Sequence, residues 1–179
     1  MIKIALINGS SQKRNYTEFV LNVVKNELEN RNVLTTDIKI KEFNLPFPDE
    51  EIENDNSDKL KELLKSADAY IVGSPEYNGS FSARLKLMIE NSGFPSMMKG
   101  KPIGLVGLAS GVLGATKSLE QLRTVFSHIG GFVLPRVVSI AEVEKMFDEA
   151  GNCIHSKTEK DIRMAANNLM EFLLLTKSK

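Results

Sequence analysis

Three short stretches of the 179-residue chain contain the residues whose types and spacing could do chemistry. The first is Asn8-Gly9-Ser10-Ser11-Gln12-Lys13-Arg14-Asn15-Tyr16-Thr17, crowded with hydroxyls, amides and small residues directly after an aliphatic run. Asn15 with Glu18 three residues on has the spacing of a capping box, so the stretch predicts a loop that closes into a helix amino terminus. Unpaired N–H groups and the positive dipole end of such a terminus attract an anion. Ser10, Asn15 and Thr17 add neutral hydrogen-bonding groups suited to a compact phosphate monoester. Lys13 and Arg14 could add charge, although a solvated surface suits each at least as well. An ordinary polar loop with a good cap fits the same residues.

The second stretch is Ile71-Val72-Gly73-Ser74-Pro75-Glu76-Tyr77-Asn78-Gly79-Ser80. Tyr77 supplies a flat aromatic and Asn78 a two-headed amide, a set that can border and hydrogen-bond a planar heterocycle. Glu76 reads as structural or exposed, because no second titratable group accompanies it and acid/base work needs a tuned partner. The third stretch, Ala109-Ser110-Gly111-Val112-Leu113-Gly114, permits close backbone approach and could close over the far side of a ring. His128 reads as a packing or helix-terminal histidine, and Cys153 as a buried or idle thiol. No catalytic acid, base or nucleophile is predicted. One cysteine and two histidines assemble no zinc spacing, so no metal site is predicted either.

Each stretch must be held at the end of a strand. Residues 2–7 form an aliphatic run broken only by Lys3 and Ala5, which predicts a first strand buried on both faces. The helix after it carries Phe19, Val20, Val23, Val24 and Leu28. Residues 32–43 predict a second strand at or near an edge, followed by a solvated acidic loop over 49–58. A short helix bearing Leu60, Leu63 and Leu64, capped by Ser57 or Asp58, leads to a third strand over 69–72. Ser74-Pro75 then forces an extended exit, and a helix begins only after Gly79-Ser80. That helix presents Phe81, Leu85, Met88 and Ile89, and Leu87 widens its apolar surface, which suits either plain core or a dimer interface.

Residues 103–108 predict a fourth strand. The helix after it carries Leu119, Leu122, Val125, Phe126 and Ile129 and stops at Gly130-Gly131. Residues 132–134 and 137–140 form a fifth strand region bent at Pro135. A short helical segment over 142–150 and a closing helix over 157–175 complete the chain. Strands alternating with helices predict one α/β domain over 1–179: a doubly wound five-stranded parallel sheet with helices on both faces. In the order 2-1-3-4-5, the strands carrying the three loops are adjacent, with the switch point between the first and third.

Charge excludes some partners. Lys plus Arg and Asp plus Glu are equal at 23 each, so no global field favours nucleic acid or an anionic membrane. The apolar amino terminus is too short for a signal segment, and no apolar run approaches the roughly 18 residues of a span. With a single cysteine, a soluble cytoplasmic protein is expected. The first loop is neither a dinucleotide fingerprint nor a Walker loop, since Gly9 lacks partners at the required spacing and no Gly-Lys-Ser/Thr ending follows.

Pro75-Glu76-Tyr77-Asn78-Gly79-Ser80, with Leu85-Lys86 after it, resembles the NAD(P)H-dependent FMN reductases of flavodoxin-like fold, which include quinone, azo-dye and chromate reductases. Gly9-Ser10 with Gln12, Asn15 and Thr17 is similar to that family's phosphate loop. Ala109-Ser110-Gly111 with Gly114, Leu122-Arg123 and residues 130–135 is similar to its third segment. Gln12 stands where the family commonly has arginine, Leu87 where it has asparagine, and Ser82-Ala83 where Pro-Gly is common. The resemblance implies FMN, with Ser10, Gln12, Asn15, Tyr16 and Thr17 around the phosphate. Pro75, Glu76, Tyr77 and Asn78 would lie along the ribityl chain and ring, and Ser110 and Gly111 near the ring's other side. It also implies hydride from NAD(P)H, a small-molecule electron acceptor such as a quinone, free flavin or azo compound, and a homodimer or homotetramer. A flavodoxin-type FMN electron carrier is the alternative, disfavoured by the neutral charge and the absence of tryptophan. A phosphoacceptor receiver is a weaker one, since no acidic pair ends the first strand.

Overall fold

The computed structural model describes residues 1–177. The strands are β1 (Lys3–Asn8), β2 (Leu34–Lys39), β3 (Ala69–Tyr77), β4 (Ser80–Phe81), β5 (Pro102–Leu108), β6 (Phe132–Val133) and β7 (Val138–Ile140). The helices are α1 (Tyr16–Glu29), α2 (Ser57–Ser66), α3 (Ala83–Glu90), α4 (Thr116–His128) and α5 (Ser156–Lys177). The parallel sheet runs β2-β1-β3-β5-β6, with β7 pairing β5 farther along and β4 pairing β3 antiparallel. β6 and β7 are the two halves of the strand predicted to bend at Pro135, so the parallel order agrees with 2-1-3-4-5.

Alternation along the central strands sorts the core into two layers. Ile4, Leu6, Ile71, Val106 and Leu108 face α1 and α5, meeting Val20, Val24, Leu28, Ile162, Ala166 and Leu169. Ala5, Ile7, Tyr70, Val72 and Leu105 face the other way, onto Leu60 and Leu64 of α2, Leu85 and Met88 of α3, and Leu122 and Phe126 of α4. Full burial of a large aliphatic side chain contributes about 1.5–3 kcal/mol, so both layers hold the sheet's carboxyl edge in place. Leu87 and Phe81 are half-buried against the second layer. Among the described residues, no helix is long and apolar enough to cross a membrane.

Five local expectations are corrected. Phe81 lies on β4, paired with Glu76, and not on the helix α3, which starts at Ala83. β3 does not stop at Val72 but continues through Ser74-Pro75 to Tyr77, pairing with β5 as far as Pro75 and Leu108. Proline is tolerated there because β1 pairs only to Gly73, whose carbonyl takes the Gly9 N–H, so no β1 acceptor waits for a donor at residue 75. Next, β2 is confined to Leu34–Lys39, and Ile40–Glu42 closes into a 3-10 turn. Helical structure over 142–150 shrinks to one such turn at Val143–Lys145, after which Phe147 bridges Cys153. At α2 neither expected cap serves: the Asp55 carboxylate accepts from the Ser57 N–H and Oγ.

Candidate functional site

The three loops converge on one cleft of about 780 Å³ at the carboxyl edge of β1, β3 and β5. Ser10, Gln12, Tyr16, Thr17, Pro75, Glu76, Tyr77, Asn78, Ser110 and Gly111 all line it. Asn15 does not; it lies behind the first loop, 3% exposed, and caps α1 by accepting the Glu18 N–H on Oδ1 at 3.0 Å. Its role as a cap was legible from the spacing.

The first loop is folded by its own short bonds. Asn8 Oδ1 accepts the Ser10 N–H at 3.0 Å, and Ser10 Oγ accepts the Gln12 N–H at 3.3 Å. Gly9 is required by close packing: a Cβ there would sit 2.5 Å from Leu85 Cγ, itself fully buried. The Ser82 hydroxyl donates to the Gly9 carbonyl at 2.7 Å, tying the loop to the start of α3. Thr17 is 1% exposed and packs on β3 so closely that a Cβ on Gly73 would lie 2.7 Å from its Cγ2.

Thr17 Oγ1 and Asn15 Nδ2 are buried without a partner in the protein. Leaving such a group unpaired costs about 1–3 kcal/mol, so the Thr17 hydroxyl, which lines the cleft beside a helix amino terminus, fits a ligand that arrives with acceptors, as a phosphate does. The other two buried unpartnered side-chain atoms among the described residues, Asn167 Oδ1 and Asn168 Nδ2, belong to α5 and not to the cleft lining.

The second loop is a β-hairpin. Tyr77 pairs Ser80 and Glu76 pairs Phe81 across Asn78-Gly79, which take φ of 51° and 74° as a type I′ turn requires. The Asn-Gly pair is the strongest two-residue hairpin signal a sequence offers, and it was available. The Gly79 carbonyl accepts from Gln121 Nε2, and the Ser80 hydroxyl donates to Gln121 Oε1, so α4 clamps the turn. Glu76 turns toward α4 as well: its Oε2 accepts the Ser118 N–H at 3.0 Å, capping that helix from outside. Its carboxylate is thus already engaged, in line with a structural reading.

The third loop is held from below and is open above. The Ser139 hydroxyl accepts the Ala115 N–H, and Ser110 Oγ donates to Glu144 Oε1 at 2.5 Å. Val112 and Leu113 stay 75% and 82% exposed while lining the cleft. Val143 and Glu144 complete this wall; they come from the 3-10 turn that follows Glu142 at φ 44°, which no residue type there announced. Burial pushes the Cys153 thiol above its ordinary range, which disfavours the thiolate, and the residue is outside the cleft lining.

A family model described as NADPH-dependent FMN reductase matches residues 2–145. The FMN-dependent NADPH-azoreductase of Staphylococcus aureus (strain USA300) is 29% identical over 108 residues, which span 60% of this chain and 56% of that protein's length. The fold matches FerB, a flavoenzyme NAD(P)H:(acceptor) oxidoreductase from Paracoccus denitrificans, with TM-score 0.78, 21% identity and 96% of each chain covered. An NADH:FMN oxidoreductase in its apo form matches with TM-score 0.72 and 16% identity, over 94% of this chain and 90% of that one.

Proposed function

The chain belongs to the NADPH-dependent FMN reductase family, and from that premise we propose that it is an FMN enzyme that uses NAD(P)H to reduce a quinone, azo compound, free flavin or similar small acceptor. FMN held in this cleft would supply the two-electron redox chemistry between the nicotinamide and the acceptor. The observation that carries the reading is the buried, unpartnered hydroxyl of Thr17, which lines the cleft at the amino terminus of α1.

The chain's own residues bind, orient and exclude water. Ser10, Gln12, Asn15, Tyr16 and Thr17 form the phosphate end, where the α1 dipole adds positive potential. Pro75, Glu76, Tyr77 and Asn78 border the length of the flavin along the hairpin, and Ser110 and Gly111 border its far side. Glu76 acts by holding the hairpin on Ser118, and no residue of the cleft is assigned proton transfer. Val112 and Leu113 give the acceptor an apolar approach.

The span 1–179 works as a single flavodoxin-like unit in the cytoplasm, assembled as a homodimer or homotetramer. Support for assembly comes from a second groove of about 610 Å³ lined by Phe47, Pro48, Phe81 and Leu87, in which Phe47 is 60% exposed. Titrating the apoprotein with FMN while following flavin fluorescence, then adding NADPH or NADH with a quinone or azo dye, tests the proposal. Saturable quenching followed by nicotinamide oxidation is expected. Lack of FMN uptake overturns the reading, and uptake without nicotinamide oxidation by any acceptor makes the protein an electron carrier.

A further inference from the structure

Among the described residues, Arg14 is the sole lysine or arginine that lines the cleft, facing a lining that also contains Glu76 and Glu144. Surface arginines are ordinarily solvated and mobile, and fixing one costs side-chain entropy. Arg14 is fixed nonetheless. Its Nε donates to Tyr16 Oη at 2.8 Å, its Nη2 donates to the Asp148 carbonyl at 3.1 Å, and its guanidinium lies 5.2 Å from the centre of the Tyr16 ring.

Both supports are themselves anchored. The Tyr16 ring meets Phe19 edge-on at 5.6 Å, and both rings pack near Phe147, which is buried. The Asp148 turn is closed by its own carboxylate, which accepts from the Asn152 N–H at 2.8 Å and from Asn152 Nδ2 at 3.0 Å. These contacts occupy Nε and Nη2 and leave Nη1 without a partner among the described residues. A guanidinium pre-organised in this way, with donors to spare, is suited to an oxyanion.

The neighbouring residues say which anion. Arg14 directly precedes the cap Asn15 and stands three residues before Thr17, whose buried unpartnered hydroxyl lines the cleft and already awaits an acceptor. Those groups and Ser10 are neutral, so a phosphate dianion bound by them alone would keep its charge beside two carboxylates of the same cleft. We propose that Arg14 is the cationic partner of the phosphate received by the first loop, supplying the countercharge that Ser10, Asn15 and Thr17 lack. This rests on the flavin reading above and adds to it a residue the loop's spacing does not single out.

Comparing FMN with riboflavin, which has the same ring and ribityl chain but no phosphate, isolates the effect. Dissociation constants for both are measured by fluorescence quenching on the wild type and on Arg14→Gln, Arg14→Lys and Tyr16→Phe, at two salt concentrations. Arg14→Gln is expected to weaken FMN roughly 10- to 100-fold, as for loss of a charged hydrogen bond, and to leave riboflavin within about threefold. It should also flatten the salt dependence of FMN affinity. Arg14→Lys should recover part of the loss, and Tyr16→Phe should show a smaller loss for FMN only.

Equal weakening of both flavins by Arg14→Gln would mean a structural role and would overturn the proposal. Unchanged FMN affinity with a raised KM for NADPH or NADH would overturn it too, assigning Arg14 to the nicotinamide donor. If the wild type binds riboflavin and FMN equally, the phosphate is not read at all and the Arg14 assignment fails while the flavin reading stands. If it binds neither, the flavin reading itself fails and takes this proposal with it.

Discussion

At the α1 end of the cleft, Thr17 is 1% exposed and its hydroxyl has no protein partner, whereas at the third loop Val112 and Leu113 are 75% and 82% exposed. One end buries what water would prefer to solvate, and the other exposes what water would prefer to exclude. Both conditions are unfavourable in the free protein and both are relieved by a ligand that is charged at one end and flat and apolar at the other. The difference suggests a division of labour: affinity is concentrated where polar groups are buried and pre-aligned, and access for a reacting partner is left where the wall is open.

The sharpest way to break that contrast is Thr17→Val, which keeps the shape and deletes the unpartnered hydroxyl. FMN affinity should fall roughly 10- to 100-fold, while the apoprotein becomes more stable by about 1 kcal/mol. FMN titration and a thermal melt of the same sample read both, and parallel loss of affinity and stability would remove the hydroxyl from the ligand site. At the opposite end, replacing Val112 and Leu113 together by serine should lower kcat/KM for an apolar quinone about tenfold and leave FMN affinity within about threefold. A loss of FMN affinity as large as that of Thr17→Val would mean that the two ends are not separable.

Glu76 lies between the ends. Glu76→Gln preserves an acceptor for the Ser118 N–H, so kcat should stay within about twofold with an unshifted pH profile. Glu76→Ala should cost about 1 kcal/mol of stability through the lost cap. A Gln variant whose pH profile loses a limb would instead make Glu76 a proton-transfer group.

The smallest effect is expected beside the charged end, in the turn that supports Arg14. Hydrogen bonds from Asn152 hold the Asp148 carboxyl below its ordinary range. Its unfolded value is therefore the higher one, about 3.9. The stabilising effect is complete above that value and is lost as pH falls through the lower folded one. Asp148→Asn should therefore lower stability slightly at neutral pH and flatten the acid limb of the unfolding profile, the two proteins converging as pH falls below the folded value. Equal stability of the two at pH 7 would show that this charge contributes nothing to the turn.

Much of the frame was legible because its signals are local. The aliphatic runs gave the central strands, the Asn15 and Glu18 spacing gave the start of α1, and alternation of strands with helices put three loops at one edge of the sheet. The hairpin was half legible: Asn78-Gly79 names the turn, but its returning strand, Ser80–Phe81, is too short to show alternation. The 3-10 turn at Val143–Lys145 lies inside the helical segment expected over 142–150, but no local signal confined it to a single turn.

What the sequence alone determined, then, is the order of the elements and the types of residue that meet at the switch point. Tertiary structure decided what those residues do there. Arg14 passes from solvated surface to a held cation through a carbonyl 134 residues away. Glu76 becomes a helix cap through an N–H 42 residues away, and Ser110 is latched to a carboxylate 34 residues away. Periodicity and capping are set by neighbours within a few residues. Partners this distant are chosen only when the packed layers bring three separate loops within hydrogen-bonding reach.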